Sequence, residues 1–335
     1  MNFIIVRFWV TLYLFILPLS SPGWAAEPLT KLLLAYGATS NNATPLWVAK
    51  DHGFFRKHGL DADLVFIIAG RAAQAMLAGQ VRVGLIGATH VTNVVTAGGD
   101  LTMILGLQNR LDFLFMARPS VKRADDLKGK KVAIGTPSGT AALATYVALD
   151  YLGLVPKRDN VVLLQLGDVP ERVAALRAGN VEAASLSPEL GPMLTAEGYR
   201  VLLDIGKENI PFQSAGLVIS RALMKSEPEL VENIAKAIVE AVAFIHNPSN
   251  KAAVEKTIDK FLRLGKPDRV EKAYQDLRQV LPRKPCPTLE GVATVLKLMA
   301  QHGLNPKASQ LRPENVVDMS VCKRLDESGF MGRLY

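Results

Sequence analysis

Ala75-Met76-Leu77-Ala78-Gly79-Gln80-Val81 returns one hundred residues further on as Ala175-Leu176-Arg177-Ala178-Gly179-Asn180-Val181. Each copy reads as the end of a helix closed by a glycine, because glycine adopts the left-handed backbone conformation without a Cβ clash. A short apolar run follows each copy, Val83–Ile86 and Ala183–Leu186. At the same offset, Lys31-Leu32-Leu33-Leu34 corresponds to Lys131-Val132-Ala133-Ile134. Another strand-like run stands upstream of each helix, Leu64–Ile68 in one half and Val161–Leu166 in the other. Agreement of strand, helix and turn at one offset predicts two similar halves, each running strand, helix, strand, helix, strand.

Outward from the repeat, the remaining strand candidates are Leu32–Tyr36, Thr102–Leu105, Phe113–Met116, Lys131–Gly135, Val201–Ile205 and Gly216–Ile219. Most are continuous apolar runs, which suits strands buried on both faces. Helical stretches fit Pro45–Lys57, Ala72–Ala78, Val91–Ala97, Thr140–Leu152, Pro170–Ala178, Pro188–Glu197, Glu229–His246 and Val254–Leu264. The alternation predicts an α/β chain with largely parallel sheets in two lobes and a cleft between them. Ligands of open α/β sheets sit beyond the carboxyl ends of the strands. Those ends are Tyr36–Pro45, Gly70–Arg71, Gly87–His90, Thr136–Thr140, Gly167–Asp168 and Ser185–Glu189. After residue 220 the chain becomes helix-rich, and that tail is expected to pack around the first lobe and brace the pair.

With 49% hydrophobic and 21% charged residues, the chain has enough apolar surface to offset ordering entropy, so disorder is disfavoured. The formal charge is +8. Its densest clusters, Arg118 to Lys131 and Arg263 to Lys272, carry no interleaved stacking aromatics, so no nucleic-acid partner is expected. Two cysteines, Cys286 and Cys322, are too few for a four-cysteine zinc site. They form either one bridge or two separate buried thiols.

Residues 1–26, MNFIIVRFWVTLYLFILPLSSPGWAA, read as a secretory signal peptide: Arg7 leads, an apolar run Phe8 to Leu17 follows, and Gly23-Trp24-Ala25 supplies small residues. Cleavage is expected after Ala25, or after Ala26. Either site leaves Trp47 as the sole tryptophan and lowers the formal charge by one. No later stretch reaches the roughly 18 apolar residues of a membrane span. The mature protein is expected to be soluble and exported.

Three loops combine strand ends with helix starts. Gly135-Thr136-Pro137-Ser138-Gly139-Thr140 offers small residues, hydroxyls and free N–H groups, a setting that favours an anionic group. It lacks the Gly-Lys-Ser/Thr ending of a P-loop, and Thr136 and Thr140 replace the glycines of a nucleophile elbow. Ser40-Asn41-Asn42-Ala43-Thr44-Pro45 brings hydroxyls and amides ahead of a helix that Pro45 is suited to start. Trp47 beside it either lines the pocket or faces the core. Gly87-Ala88-Thr89-His90 also ends a strand and opens a helix. Five scattered histidines show no metal-ligand spacing, and there is no dinucleotide glycine fingerprint. No metal, cofactor or catalytic residue is therefore assigned.

Pro45-Leu46-Trp47-Val48-Ala49-Lys50-Asp51-His52-Gly53-Phe54-Phe55-Arg56-Lys57-His58-Gly59-Leu60 resembles the loop, helix and G-F-F-x-x-x-G-L signature of a known group. These are the solute-binding proteins of ABC importers for nitrate, aliphatic sulfonates, taurine and thiamine-pyrimidine precursors. Asp126-Leu127-Lys128-Gly129-Lys130-Lys131-Val132 resembles the segment that opens their second lobe. The resemblance covers about residues 30–250. It implies a periplasmic binding protein of type II, an α/β fold with two hinge crossovers and a ligand cleft between lobes. Lobe 1 is expected at 27–117 plus 218–335, and lobe 2 at 118–217.

The same resemblance implies an exported, monomeric protein that captures a small organic or anionic solute by hinge closure and docks transiently on an inner-membrane ABC permease. Its ligand-contacting loops correspond to Ser40, Asn41 and Asn42, to Gly87, Ala88 and Thr89, and to Ser138, Gly139 and Thr140. Ser187 and Glu189 fall in a fourth loop by position. A cleft-facing Glu189 would disfavour a purely anionic ligand, and a zwitterion such as taurine would reconcile it with the anion-friendly helix start. Two alternatives are a thiamine-pyrimidine-synthase-like enzyme on the same fold and a binding subunit that feeds a sensor. The fungal synthases carry a cysteine-rich iron-binding motif, to which Cys286 and Cys322 do not correspond.

Overall fold

The computed structural model describes residues 28–335, so the expected signal peptide, residues 1–26, lies outside the described residues. Ten strands form two five-stranded sheets. In chain order they are β1 (Thr30–Tyr36), β2 (Leu60–Phe66), β3 (Val83–Ile86), β4 (Leu101–Arg110), β5 (Leu114–Ala117), β6 (Lys131–Ile134), β7 (Val162–Gln165), β8 (Ala183–Leu186), β9 (Arg200–Asp204) and β10 (Pro211–Ser220). The first sheet has the order β2-β1-β3-β10-β4 and the second β7-β6-β8-β5-β9.

The internal repeat is visible in this topology. β1 pairs in parallel with β2 and β3, as β6 does with β7 and β8. β3 and β8 are one hundred residues apart, and every residue of both is buried. Helices Ala69–Leu77 and Val169–Ala178 precede them, and Gly79 and Gly179 follow with φ of 69° and 76°. A Cβ is strained in that conformation, so both repeat glycines are explained by backbone geometry. Each sheet then receives an antiparallel strand in its fourth position, β10 beside β3 and β5 beside β8.

Those two strands carry the crossings between lobes. The chain passes to the second sheet at residues 111–113 and returns at residues 205–210. The crossings run side by side: Leu111 N–H donates to Ile210 O at 3.1 Å and Ile205 N–H to Phe113 O at 2.9 Å. The expected boundaries after residues 117 and 217 therefore differ from the sheet membership. Leu114–Ala117 belongs to the second sheet, and Pro211–Leu217 lies within a strand of the first. A short buried apolar run looks the same whichever sheet it joins.

Local differences have similar causes. The expected helix Pro45–Lys57 is two helices, Thr44–Asp51 and Phe54–Lys57, broken at Gly53 with φ of 76°. The expected helix Pro188–Glu197 is a 3-10 turn, Pro188–Leu190, followed by Gly191–Ala196, whose second residue is Pro192. β2 starts at Leu60 rather than Leu64, because buried Leu60 and Ala62 continue the alternation backwards against β1.

The tail adds helices Pro228–His246, Lys251–Leu262, Pro267–Val280, Leu289–Gln301 and Ser320–Glu327. Pro228–His246 packs its apolar face against Thr44–Asp51 and Phe54–Lys57 in the larger core. Trp47 is fully buried there, stacked on Phe261 at 4.6 Å between ring centroids. Cys286 and Cys322 form a disulfide between the loop after residue 281 and the helix Ser320–Glu327. The tail also reaches the second lobe: Ser138 Oγ donates to Leu304 O at 2.9 Å, and His302 stacks on Tyr146. No helix among the described residues is long and apolar enough to cross a membrane.

Candidate functional site

The carboxyl ends of the parallel strands in both sheets face one another across a cavity of about 120 Å³. Gly37 follows β1, Gly87 follows β3, Gly135 follows β6, and Ser187 follows β8 at its wall. Gly87 is required by close approach. A Cβ there would lie 2.5 Å from Thr140 Oγ1 and 2.7 Å from Ser214 O, so a larger side chain would wedge the lobes apart.

The lobes touch through polar contacts at this cavity. Asn41 N–H donates to Glu189 Oε1 at 3.0 Å, and Thr39 N–H donates to Asp168 Oδ2 at 3.1 Å. Asn41 is itself fixed from two sides: Nδ2 donates to Ala273 O at 2.6 Å, and Oδ1 accepts from Thr44 Oγ1 at 2.9 Å. Asp168 caps the helix Val169–Ala178 and exchanges a capping-box bond with Glu171. Arg172, one turn into that helix, is 3% exposed. Its Nη1 donates to Gly167 O at 2.6 Å and its Nε to Ser185 O at 3.3 Å. The cavity is therefore closed by bonds that join the two sheets.

Burial sets the charge states of the wall. Glu189 is pushed up to about 7, first by desolvation and then by Asp112 and Asp276, with the bond from Asn41 acting in the opposite sense. Desolvation also raises Asp112 to about 6, with Arg110 opposing it and Asp276 and Asp204 adding to it. His90 is pushed down to about 4 by burial, so it is neutral at pH 7. Arg172 is lowered to about 10 by burial, opposed by Asp168 and Glu171, and remains charged.

Of the residues the sequence pointed to, Ser40, Asn41, Asn42, Gly87, Thr140, Ser187 and Glu189 line the cavity. The others do not. Trp47 faces the core of the first lobe, where Phe261 and Tyr36 enclose its ring. Ala88 and Thr89 lie behind the wall, fully buried, with the Thr89 hydroxyl 3.4 Å from that of Thr140. Ser138, at φ of 57°, turns its hydroxyl to Leu304 O rather than to the helix start, and Gly139 sits against Thr136. Three charged residues of the wall were not singled out as ligand contacts. Asp112 lies in the first crossing and Arg172 one helical turn beyond a strand end, while Asp276 lies on the tail helix Pro267–Val280, which gives no motif. Asp168 does stand at one of the strand ends read from the sequence.

The sequence matches the NMT1/THI5-like family over residues 40–252. A Brucella abortus protein, provisionally named a binding protein, is 29% identical over 230 residues, covering 65% of this chain and 67% of its own. The periplasmic aliphatic sulphonate binding protein of Escherichia coli superposes with a TM-score of 0.67 at 19% identity, covering 86% of this chain and 92% of that one. The periplasmic nitrate-binding protein of Synechocystis superposes with a TM-score of 0.72 at 14% identity, covering 90% and 89%. The chain belongs to the NMT1/THI5-like family and carries the two-lobed fold of the periplasmic binding proteins.

Proposed function

We propose that this chain is the exported solute-binding component of an ABC importer. The observation that carries the reading is the cavity at the strand ends, enclosed by both lobes and bridged by Asn41–Glu189 and Thr39–Asp168. A solute bound there contacts both lobes at once, and so favours the closed form by its differential contacts. The two adjacent crossings form the hinge about which the lobes separate. The closed protein then docks on a membrane permease as a monomer, and docking opens the cleft. The names of relatives support this reading, among them a Brachyspira hyodysenteriae protein provisionally named an ABC transporter periplasmic binding protein.

The Cys286–Cys322 bridge supports export, since disulfides persist in oxidising compartments such as the periplasm. It also weighs against a synthase-like enzyme with an iron site built on cysteines. Both thiols are consumed in the bridge, and neither lines the cavity.

A thermal-shift screen of residues 26–335, unfolded and refolded to remove carried ligand, tests the proposal. A solute at a hundred times its dissociation constant should add about 2.7 kcal/mol of stability. A selective upward shift with the compound recovered unchanged supports a receptor; a chemically altered compound supports an enzyme.

A further inference from the structure

We infer that the cleft takes a small organic cation, whose protonated nitrogen sits against the carboxylates of Asp112, Glu189 and Asp276. The inference rests on the cleft-binding reading above and names the chemistry of its ligand. The three carboxylates arrive from three separate elements: the first crossing, the 3-10 turn after β8, and the tail helix Pro267–Val280. They lie close enough to act on one another's charge.

No described cationic side chain forms an ion pair with Glu189 or Asp112. Glu189 is 5% exposed, its Oε1 accepts from Asn41 N–H, and its own backbone N–H is the other donor acting on the carboxylate. Asp276 Oδ1 is paired with Lys272, but Oδ2 is buried without a partner. Asp112 forms no hydrogen bond or ion pair with another described residue. Arg110 acts on it from the rim, but its guanidinium is held by Asn209 Oδ1 and Gln279 O. Burying carboxylates this way is costly unless a cation or donors complete the site. A bound ammonium or amidinium supplies both.

Two backbone donors on the first lobe's side of the cavity are taken by the protein itself. Thr39 N–H is taken by Asp168 and Asn41 N–H by Glu189. Arg172 spends Nε and Nη1 on backbone carbonyls and sits beside Asp168 and Glu171. Among the lining residues four carboxylates, Asp112, Asp168, Glu189 and Asp276, stand beside one guanidinium, with His90 neutral, Lys272 paired to Asp276 Oδ1 and Arg110 at the rim. The rest of the wall mixes hydroxyl and amide side chains with apolar ones such as Leu85, Phe113 and Val280. The space also argues against a very small ion. At about 10–15 Å³ per water-sized site, the 120 Å³ cavity holds roughly ten such sites.

Equilibrium dialysis and calorimetry at pH 7.5 with shape-matched pairs test the inference: benzamidinium against benzoate, and butylammonium against propanesulfonate. The refolded protein should bind at least one cation, and at least tenfold more tightly than its anionic partner. Glu189→Gln and Asp112→Asn should each weaken that cation at least tenfold. Asp112 makes no bond between the lobes, so its variant serves if Glu189→Gln fails to fold. Binding of the anions alone, or of a cation equally well in both folded variants, overturns the inference and leaves the binding-protein reading standing. Failure of every solute in both these pairs and the wider thermal-shift panel overturns both.

Discussion

Closing the empty cleft should depend on pH through Glu189, and Glu189→Gln should remove that dependence. In the closed form burial raises this carboxyl from 4.5 to about 7. In an opened cleft water reaches it, and its affinity for protons returns toward the ordinary glutamate value. The closed form therefore holds a proton that the open form releases between pH 4.5 and about 7. Its contribution to closure is complete below the lower value and is lost as pH rises through the upper one. The difference amounts to about 3 kcal/mol at pH 8, on the order of a hundredfold in the closed-to-open ratio. Asp112 has the same sign but shares its charge interactions with Glu189, so the two are not summed. His90 has the opposite sign: held near 4, it resists the charged form, and closure weakens as pH falls through 6.5. The readout is accordingly the difference between wild type and Glu189→Gln, measured as radius of gyration by small-angle scattering of the ligand-free protein from pH 4.5 to 8. Wild type should expand toward pH 8 while the variant, neutral throughout, stays closer to its acid dimensions. Parallel curves would refute the assignment of the strain to Glu189.

The Cys286–Cys322 bridge closes a segment with a sequence separation of 36. Replacing both cysteines by alanine should lower unfolding free energy by about 4 kcal/mol in urea titrations, and an unchanged midpoint would contradict this. Gly87→Val should weaken any cleft ligand more than tenfold in calorimetry, because its side chain meets Thr140 across the lobes and Ser214 O within its own. Unaltered affinity would show that the closed geometry is not the binding form. Trp47 is enclosed by Phe261 and Tyr36 within one lobe, so its emission should stay constant on ligand closure. A ligand-dependent shift would place its ring nearer the cleft than this packing does.

Periodicity carried much of the fold. Each of the ten strands overlaps an apolar run readable in the sequence; in central strands such as β3 and β8 burial on both faces accounts for the continuous hydrophobic stretch. The repeat at Gly79 and Gly179 showed that two lobes share one plan. What sequence did not reveal was partnership. Nothing in Leu114–Ala117 states that it enters the second sheet, and nothing in Asp276 states that its helix returns to the cleft. The helix Pro267–Val280 buries only one stripe, Val270, Ala273, Tyr274 and Leu277, amid charged residues, and so was easily missed between more apolar segments.

The site was legible where loops follow strands, since topology alone sends those ends into the cleft. Glu189, Asn41 and Thr140 were found that way. Ser138 is different: its loop reaches the site but its hydroxyl turns to Leu304 O, while Trp47, on the helix that follows the first loop, takes the core-facing alternative against Phe261. Side-chain direction in a loop depends on contacts far away in sequence, 166 residues away for Ser138.

Native mass spectrometry of the protein purified without refolding tests the central claim most directly. The account predicts one small molecule retained per wild-type chain and none in Gly87→Val, with the retained mass matching a species that ionises as a cation. Equal retention by both proteins, or no retained solute in wild type, would contradict binding between the lobes.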